Sequence, residues 1–194
     1  MRAAVFFDRD NTLIINDGYL GDPAGVILMP GAAEAVAGAR NLGYAIVTVS
    51  NQSGVARGLF DEEAVRAVDL RMDELLLRDD PGAMIDLHVF CPFHPQAPVA
   101  KYRQVSDLRK PAPGMILLAA KQLDLDLAKS WVVGDAVRDI EAGRAAGCRT
   151  ILFMPRGVPA SPDAKHRNDS RADYTVSDLV QAVERVKYPV FDMT

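Results

Sequence analysis

A Rossmann-like, doubly wound α/β fold with a mainly parallel sheet is predicted by two features of this 194-residue sequence. Short runs rich in Val, Ile and aromatic residues alternate with longer segments of helical periodicity, and polar residues gather where the short runs end. Alternation of this kind joins each strand to a parallel neighbour through a helix that packs back on the sheet.

In chain order, the strand-like runs fall at 3–8, 45–50, 85–91, 130–134 and 149–153, with a weaker run near 173–176. Val5-Phe6-Phe7, Ile46-Val47, Val89-Phe90, Trp131-Val132-Val133 and Ile151-Leu152-Phe153 supply their apolar character. Helical patterns occupy 31–42, 61–78, 114–123, 137–146 and 177–187. Asp61-Glu62-Glu63 and Ser177-Asp178 are start signals, because carboxylates and hydroxyls favour the positive, unbonded N–H end of a helix. Residues 154–173, with several prolines and mixed charge, read as an irregular surface loop.

Composition narrows the function. With 49% hydrophobic and 25% charged residues, 1–194 reads as a single domain able to bury a substantial core. A net charge of −4 and no dense Lys/Arg run argue against nucleic-acid binding, which draws on clustered cations. Asp8 interrupts the first apolar run before it is long enough for a signal or membrane segment, so a cytoplasmic protein without membrane attachment is expected, with a monomer as the default. Cys91 and Cys148 form no framework pattern and read as free thiols.

In a parallel α/β sheet, ligands gather beyond the carboxyl ends of the strands. Asp8 and Asp10 follow the first run, Ser50-Asn51-Gln52-Ser53-Gly54 the second and Gly134-Asp135 the fourth, while Lys110 precedes a helix. Two carboxylates two residues apart share a face if the extended geometry lasts that far, so one can attack while the other moves protons. Mg²⁺ binds oxygen ligands, commonly one or two carboxylates plus phosphate oxygens, and Asp8 with Asp135 fits that need. Ser50 and Lys110 are placed to stabilise a phosphoryl group, and the turn after Ser50 adds N–H donors. Asn11 suits a turn needing positive φ. Asp139, four residues after Asp135, either faces the site or serves as a first-turn dipole partner.

Asp8-Arg9-Asp10-Asn11-Thr12, Ser50, Lys110 and Gly134-Asp135 with Asp139 resemble, in order, the four motifs of the haloacid dehalogenase superfamily phosphatases. Asn51-Gln52-Ser53-Gly54-Val55-Ala56-Arg57-Gly58, Cys91-Pro92-Phe93-His94-Pro95 and Arg109-Lys110-Pro111-Ala112-Pro113-Gly114-Met115 are similar to the D-glycero-D-manno-heptose-1,7-bisphosphate 7-phosphatases, a branch shared with histidinol-phosphate phosphatases. The resemblance implies a Mg²⁺-dependent phosphomonoesterase in which Asp8 is the nucleophile and Asp10 the acid/base. Asp8, the Asp10 carbonyl and Asp135 would hold the metal, with Asp139 possible behind them. Asn16, Asp17, Gly18, Tyr19, Asn51, Gln52, Ser53, Arg57 and Arg109 would meet a small phosphorylated sugar.

Two departures accompany it. The branch often carries a zinc loop, but its ligand positions here are Cys91, Phe93, Ser106 and Leu108; one ligand does not make a closed four-ligand site, so no zinc is expected. Ala136 stands where a lysine usually follows the motif aspartate. The intervals 13–44 and 92–109 are too short for a large cap, which leaves loops at 16–19, 51–58 and 92–109 to choose the substrate. Histidinol phosphate is the rival substrate. A phospho-accepting signalling module is the rival class, since such modules also place aspartates, a hydroxyl and a lysine around Mg²⁺.

Overall fold

The computed structural model describes residues 1–155 and 171–188. Its strands are β1 (Ala4–Phe7), β2 (Ala45–Asn51), β3 (Leu87–Cys91), β4 (Trp131–Gly134), β5 (Arg149–Phe153) and β6 (Tyr174–Val176). The helices are α1 (Ala32–Asn41), α2 (Ser53–Ala56), α3 (Glu62–Asp79), α4 (Gly114–Leu123), α5 (Val137–Ala145) and α6 (Leu179–Lys187). The strands form one parallel sheet in the order β3-β2-β1-β4-β5-β6. Chain progress reverses between β1 and β4, which opens a crevice beyond their carboxyl ends.

Side chains of a strand alternate between faces, and the two faces bury different cores. Val5, Phe7, Trp131, Val133, Ile151 and Phe153 pack with α1, α3 and α6 on one side. Ala4, Phe6, Val47, Val49 and Val132 pack with Met115, Ile116 and Ala119 of α4 on the other. Every residue of β1 and β4 is buried, as expected for central strands covered on both faces.

The expected helices and strands all appear, with ends displaced by no more than a few residues. The irregular loop expected over 154–173 lies outside the described residues at 156–170. Two local expectations are corrected. Residues 53–56, taken as part of a loop, form the short helix α2. The extended geometry also stops at Phe7 and does not carry Asp8 and Asp10 onto one strand face. A turn replaces it: the Leu13 and Ile14 amides donate to the Arg9 carbonyl at 2.9 and 3.1 Å, and the Asn11 amide donates to Ile14 at 2.7 Å. Asn11 adopts φ 60°, a conformation Asn tolerates better than most residues.

Candidate active site

The centre of the crevice is a buried group of charges. The Asp8 amide continues the β1–β4 ladder by donating to the Val133 carbonyl at 2.9 Å, which seats the Asp8 carboxylate at the strand ends. Lys110 Nζ lies 2.8 Å from Asp8 Oδ1 and 2.6 Å from Asp139 Oδ1, and donates to the Val49 carbonyl at 2.8 Å. Asn51 brackets the Lys110 backbone: its Nδ2 donates to the carbonyl and its Oδ1 accepts from the amide, both at 3.0 Å. Asn51 therefore positions Lys110 as well as lining the adjacent cavity. The Lys110–Pro111 peptide is cis.

Asp139 fills both roles left open by the sequence. Its Oδ2 accepts from the Ala136 amide at 3.0 Å, capping the first turn of α5, while its Oδ1 meets Lys110. The fit is tight. A Cβ added at Gly134 would stand 2.4 Å from Asp139 Cβ.

Asp8, Asp135 and Asp139 each bring a carboxylate oxygen to within 4.8 Å of the others, and all three are buried. Burial, then the charge of Asp139, raise the Asp8 pKa to about 7; Lys110 opposes the shift and Asp135 adds to it. Burial alone would lower the Lys110 pKa, but Asp139 and Asp8 raise it above its ordinary value. Carboxylates outnumber the ammonium in this buried group, an imbalance a divalent cation would correct. The donors are all hard oxygens, the ligand type Mg²⁺ prefers.

Asp10 stands apart, on the cavity wall. Its carboxylate accepts from Asn16 Nδ2 and Gln52 Nε2, both at 2.7 Å, and from Ser50 Oγ at 3.1 Å. Arg9 adds Nε and Nη2, each at 3.3 Å. Burial would lift its pKa, but the Arg9 charge and these hydrogen bonds hold it below the ordinary carboxylate value. Ser50 thus faces the acid/base candidate, and its oxygen accepts from Gln52 at 2.7 Å. Arg9 also reaches Asp69 of α3 at 2.9 Å. Burial raises the Asp69 pKa, against the lowering effect of the Arg9 charge.

A cavity of about 300 Å³ opens beside Asp10, lined among others by Asn16, Gly18, Tyr19, Gln52, Ser53 and Arg57. Arg109 and Arg138 add positive charge to its wall, and His94 lines it beside them. The Arg57 guanidinium sits 5.5 Å from the Tyr19 ring centroid, linking two loops of the cavity wall. Arg109 Nη1 donates to Ser53 Oγ at 2.9 Å and to the Phe93 carbonyl at 3.3 Å, tying in the third loop. His94 Nδ1 accepts from the Gln96 amide at 3.1 Å, and burial followed by the Arg109 and Arg57 charges lowers its pKa. Asp17 is exposed and does not line the cavity.

The sequence did not mark Arg9, Asp69 or Arg138 as site residues, and it placed His94 only within the Cys91–Pro95 motif. A signal for Arg138 existed in its position between Asp135 and Asp139, where the first turn of a helix opens onto the strand ends. In the loop that carries the zinc positions, Phe93 packs on Tyr102 with ring centroids 6.1 Å apart, and Arg103 donates to the carbonyls of Ala97 and Pro98 at 2.6 and 3.0 Å. Tyr102 in turn donates to Glu62 at 2.8 Å, fastening the loop to α3.

A sequence model of the HAD-hydrolase-like family matches residues 107–182, the stretch that contains Lys110, Asp135 and Asp139. The chain is 37% identical over 186 residues to the D-glycero-β-D-manno-heptose-1,7-bisphosphate 7-phosphatase of Escherichia coli strain K12, covering 96% of each protein. It belongs to this family of HAD-like phosphatases. The relative from Rhodopseudomonas palustris, with the same name, is 44% identical over 153 residues, covering 78% of this chain and 83% of that protein. The crystal structure of D,D-heptose 1,7-bisphosphate phosphatase from B. bronchiseptica, complexed with magnesium and phosphate, superposes with a TM-score of 0.81 at 28% identity, covering 98% of this chain and 100% of that one. The family membership makes this HAD-like chain a phosphoric monoester hydrolase with the doubly wound fold expected of it.

Proposed function

We propose that residues 1–194, acting as one domain, remove the 7-phosphate of D-glycero-D-manno-heptose 1,7-bisphosphate through an aspartyl-phosphate on Asp8. The observation that carries this reading is the buried Asp8–Lys110–Asp139 group beside a cavity in which Asp10 faces Arg57, Arg109 and Arg138. The first supplies a nucleophile with fixed counter-charge. The second supplies a proton carrier and enough cations for a substrate bearing two phosphates.

Asp8, the Asp10 carbonyl and Asp135 would hold Mg²⁺, since both Asp139 oxygens already serve Lys110 and the helix cap. Mg²⁺ would screen the incoming phosphate from the Asp8 carboxylate. An Asp8 oxygen attacks phosphorus as the bond from phosphorus to the sugar oxygen breaks. Asp10 delivers a proton to that leaving oxygen, then takes one from the water that hydrolyses the acyl phosphate. An arriving phosphate dianion raises the proton affinity of Asp10 by placing negative charge beside it. Ser50 and Gln52, now donors to Asp10, are the groups a phosphoryl oxygen would recruit.

The same reading makes the protein a cytoplasmic monomer that takes a small phosphorylated sugar and holds no zinc; among the described residues, no helix is long and apolar enough to cross a membrane. The test is phosphate release with Mg²⁺ from both heptose bisphosphate anomers, histidinol phosphate and other sugar phosphates. A kcat/KM at least about 100-fold higher for a heptose bisphosphate, the β anomer foremost, is expected. Equal or greater efficiency on histidinol phosphate would overturn the substrate. A stable aspartyl-phosphate without release would favour the signalling class.

A further inference from the structure

We infer that Asp69 of α3 is a positioning residue for the proton transfer: through Arg9 it fixes the plane of the Asp10 carboxylate toward the leaving oxygen. The inference deepens the acid/base role proposed above and rests on it. Arg9 is a fully buried guanidinium, only 1% exposed, with a divided fork. Its Nε and Nη2 address the two Asp10 oxygens at 3.3 Å, and its Nη1 donates to Asp69 Oδ1 at 2.9 Å. A guanidinium is planar, so fixing Nη1 fixes the direction of the other edge.

The anchor must come from elsewhere in the chain. Arg9 and Asp10 are consecutive on one turn, and a pair of neighbours cannot by itself hold that turn's orientation. Asp69 belongs to an eighteen-residue helix whose Val65, Val68, Met72 and Leu76 are buried in the core. The backbone of the turn is held by its own hydrogen bonds, and Asp69 extends the rigidity of α3 to the Arg9 side chain.

The donors to Asp10 also divide: Ser50 is, with Gln52, a group that a phosphoryl oxygen would recruit, whereas Arg9 has its Nη1 committed to Asp69. Asn16 and Gln52 line the cavity, where an arriving phosphate competes for them. Arg9 and Asp69 do not line it, so their hold persists when substrate occupies the cavity. A proton delivered in the transition state needs that persistence, because orientation errors of a fraction of an ångström are costly.

The test compares two leaving groups in Asp69→Asn. Release of a sugar oxygen needs a proton, whereas release of p-nitrophenolate does not. For Asp69→Asn, kcat on the heptose bisphosphate should fall by about tenfold or more with KM unchanged, while kcat on p-nitrophenyl phosphate falls by less than about threefold. Arg9→Lys keeps the charge but loses the fork, and should give the same split. Urea unfolding of each variant confirms that it is folded at the assay temperature, and Asp69→Glu should regain part of the lost turnover. A parallel fall on both substrates, or no fall on either, would overturn the positioning role. Absence of phosphatase activity in the unaltered protein would instead sink the reading on which the role rests.

Discussion

The charged centre and the rim of the cavity are built from opposite materials. In the centre, Asp8, Lys110, Asp135 and Asp139 are buried; Asp8 and Asp135 follow strand ends, Asp139 sits in the first turn of α5, and Lys110 lies in the turn ahead of α4. Lys110 makes its contacts at 2.6–2.8 Å, each to a group fixed by backbone pairing. At the rim, Tyr19 is 51% exposed and Arg57 is exposed, and the two meet by ring–cation attraction between loops. The difference separates two tasks. Under the proposed function, a group that must not move would carry the bond-breaking step, and loops that can adjust would select which ester is presented to it.

Breaking the centre should have the largest effect. Asp8→Asn removes the nucleophile and should lower phosphate release by about 10⁴-fold or more, measured in steady-state assays with Mg²⁺. The same variant should change the pH dependence of stability. With metal removed by a chelator, folded Asp8 titrates at about 7 against 3.8 as its ordinary value, so the folded state binds more protons between those pH values. That contribution is present below about pH 4 and is lost as pH rises through about 7. Urea unfolding of the metal-free protein should therefore weaken from pH 5 to pH 7.5 more steeply than that of Asp8→Asn, and Mg²⁺ should remove most of the difference.

Asp10 lies between the two regions. Asp10→Asn keeps the carbonyl and the shape, and should lower kcat by about 10²- to 10⁴-fold with little change in KM. A smaller perturbation tests how rigid the centre is. Gly134→Ala would place a methyl 2.4 Å from Asp139 Cβ, and should cost about 1–3 kcal/mol in chemical unfolding together with activity, because Asp139 anchors Lys110.

Much of the centre was legible in the sequence. Central strands buried on both faces need continuous apolar runs, and each run ends where the chain must turn polar, so Asp8 and Asp135 announced themselves. Arg9 did not, because an arginine between two aspartates reads as a solvated charge until Asp69 arrives from α3 to bury it. The second role of Asn51 was equally opaque: its partner is the Lys110 backbone, 59 residues away, and no local pattern encodes such a pair. The rim was legible as loops only. Which loop residues face the cavity depends on turns such as the one at Arg9, where the chain has left the extended geometry of β1 before it reaches Asp10.

The division between centre and rim is tested most directly by Arg57→Ala, assayed on the heptose bisphosphate and on a small sugar monophosphate. Loss of a charge-assisted contact to the second phosphate should lower kcat/KM for the bisphosphate by about ten- to a hundredfold, chiefly through KM. The monophosphate value should stay within about twofold of the unaltered protein. An equal fall on both substrates, expressed in kcat, would contradict the account by showing that the rim takes part in the bond-breaking step.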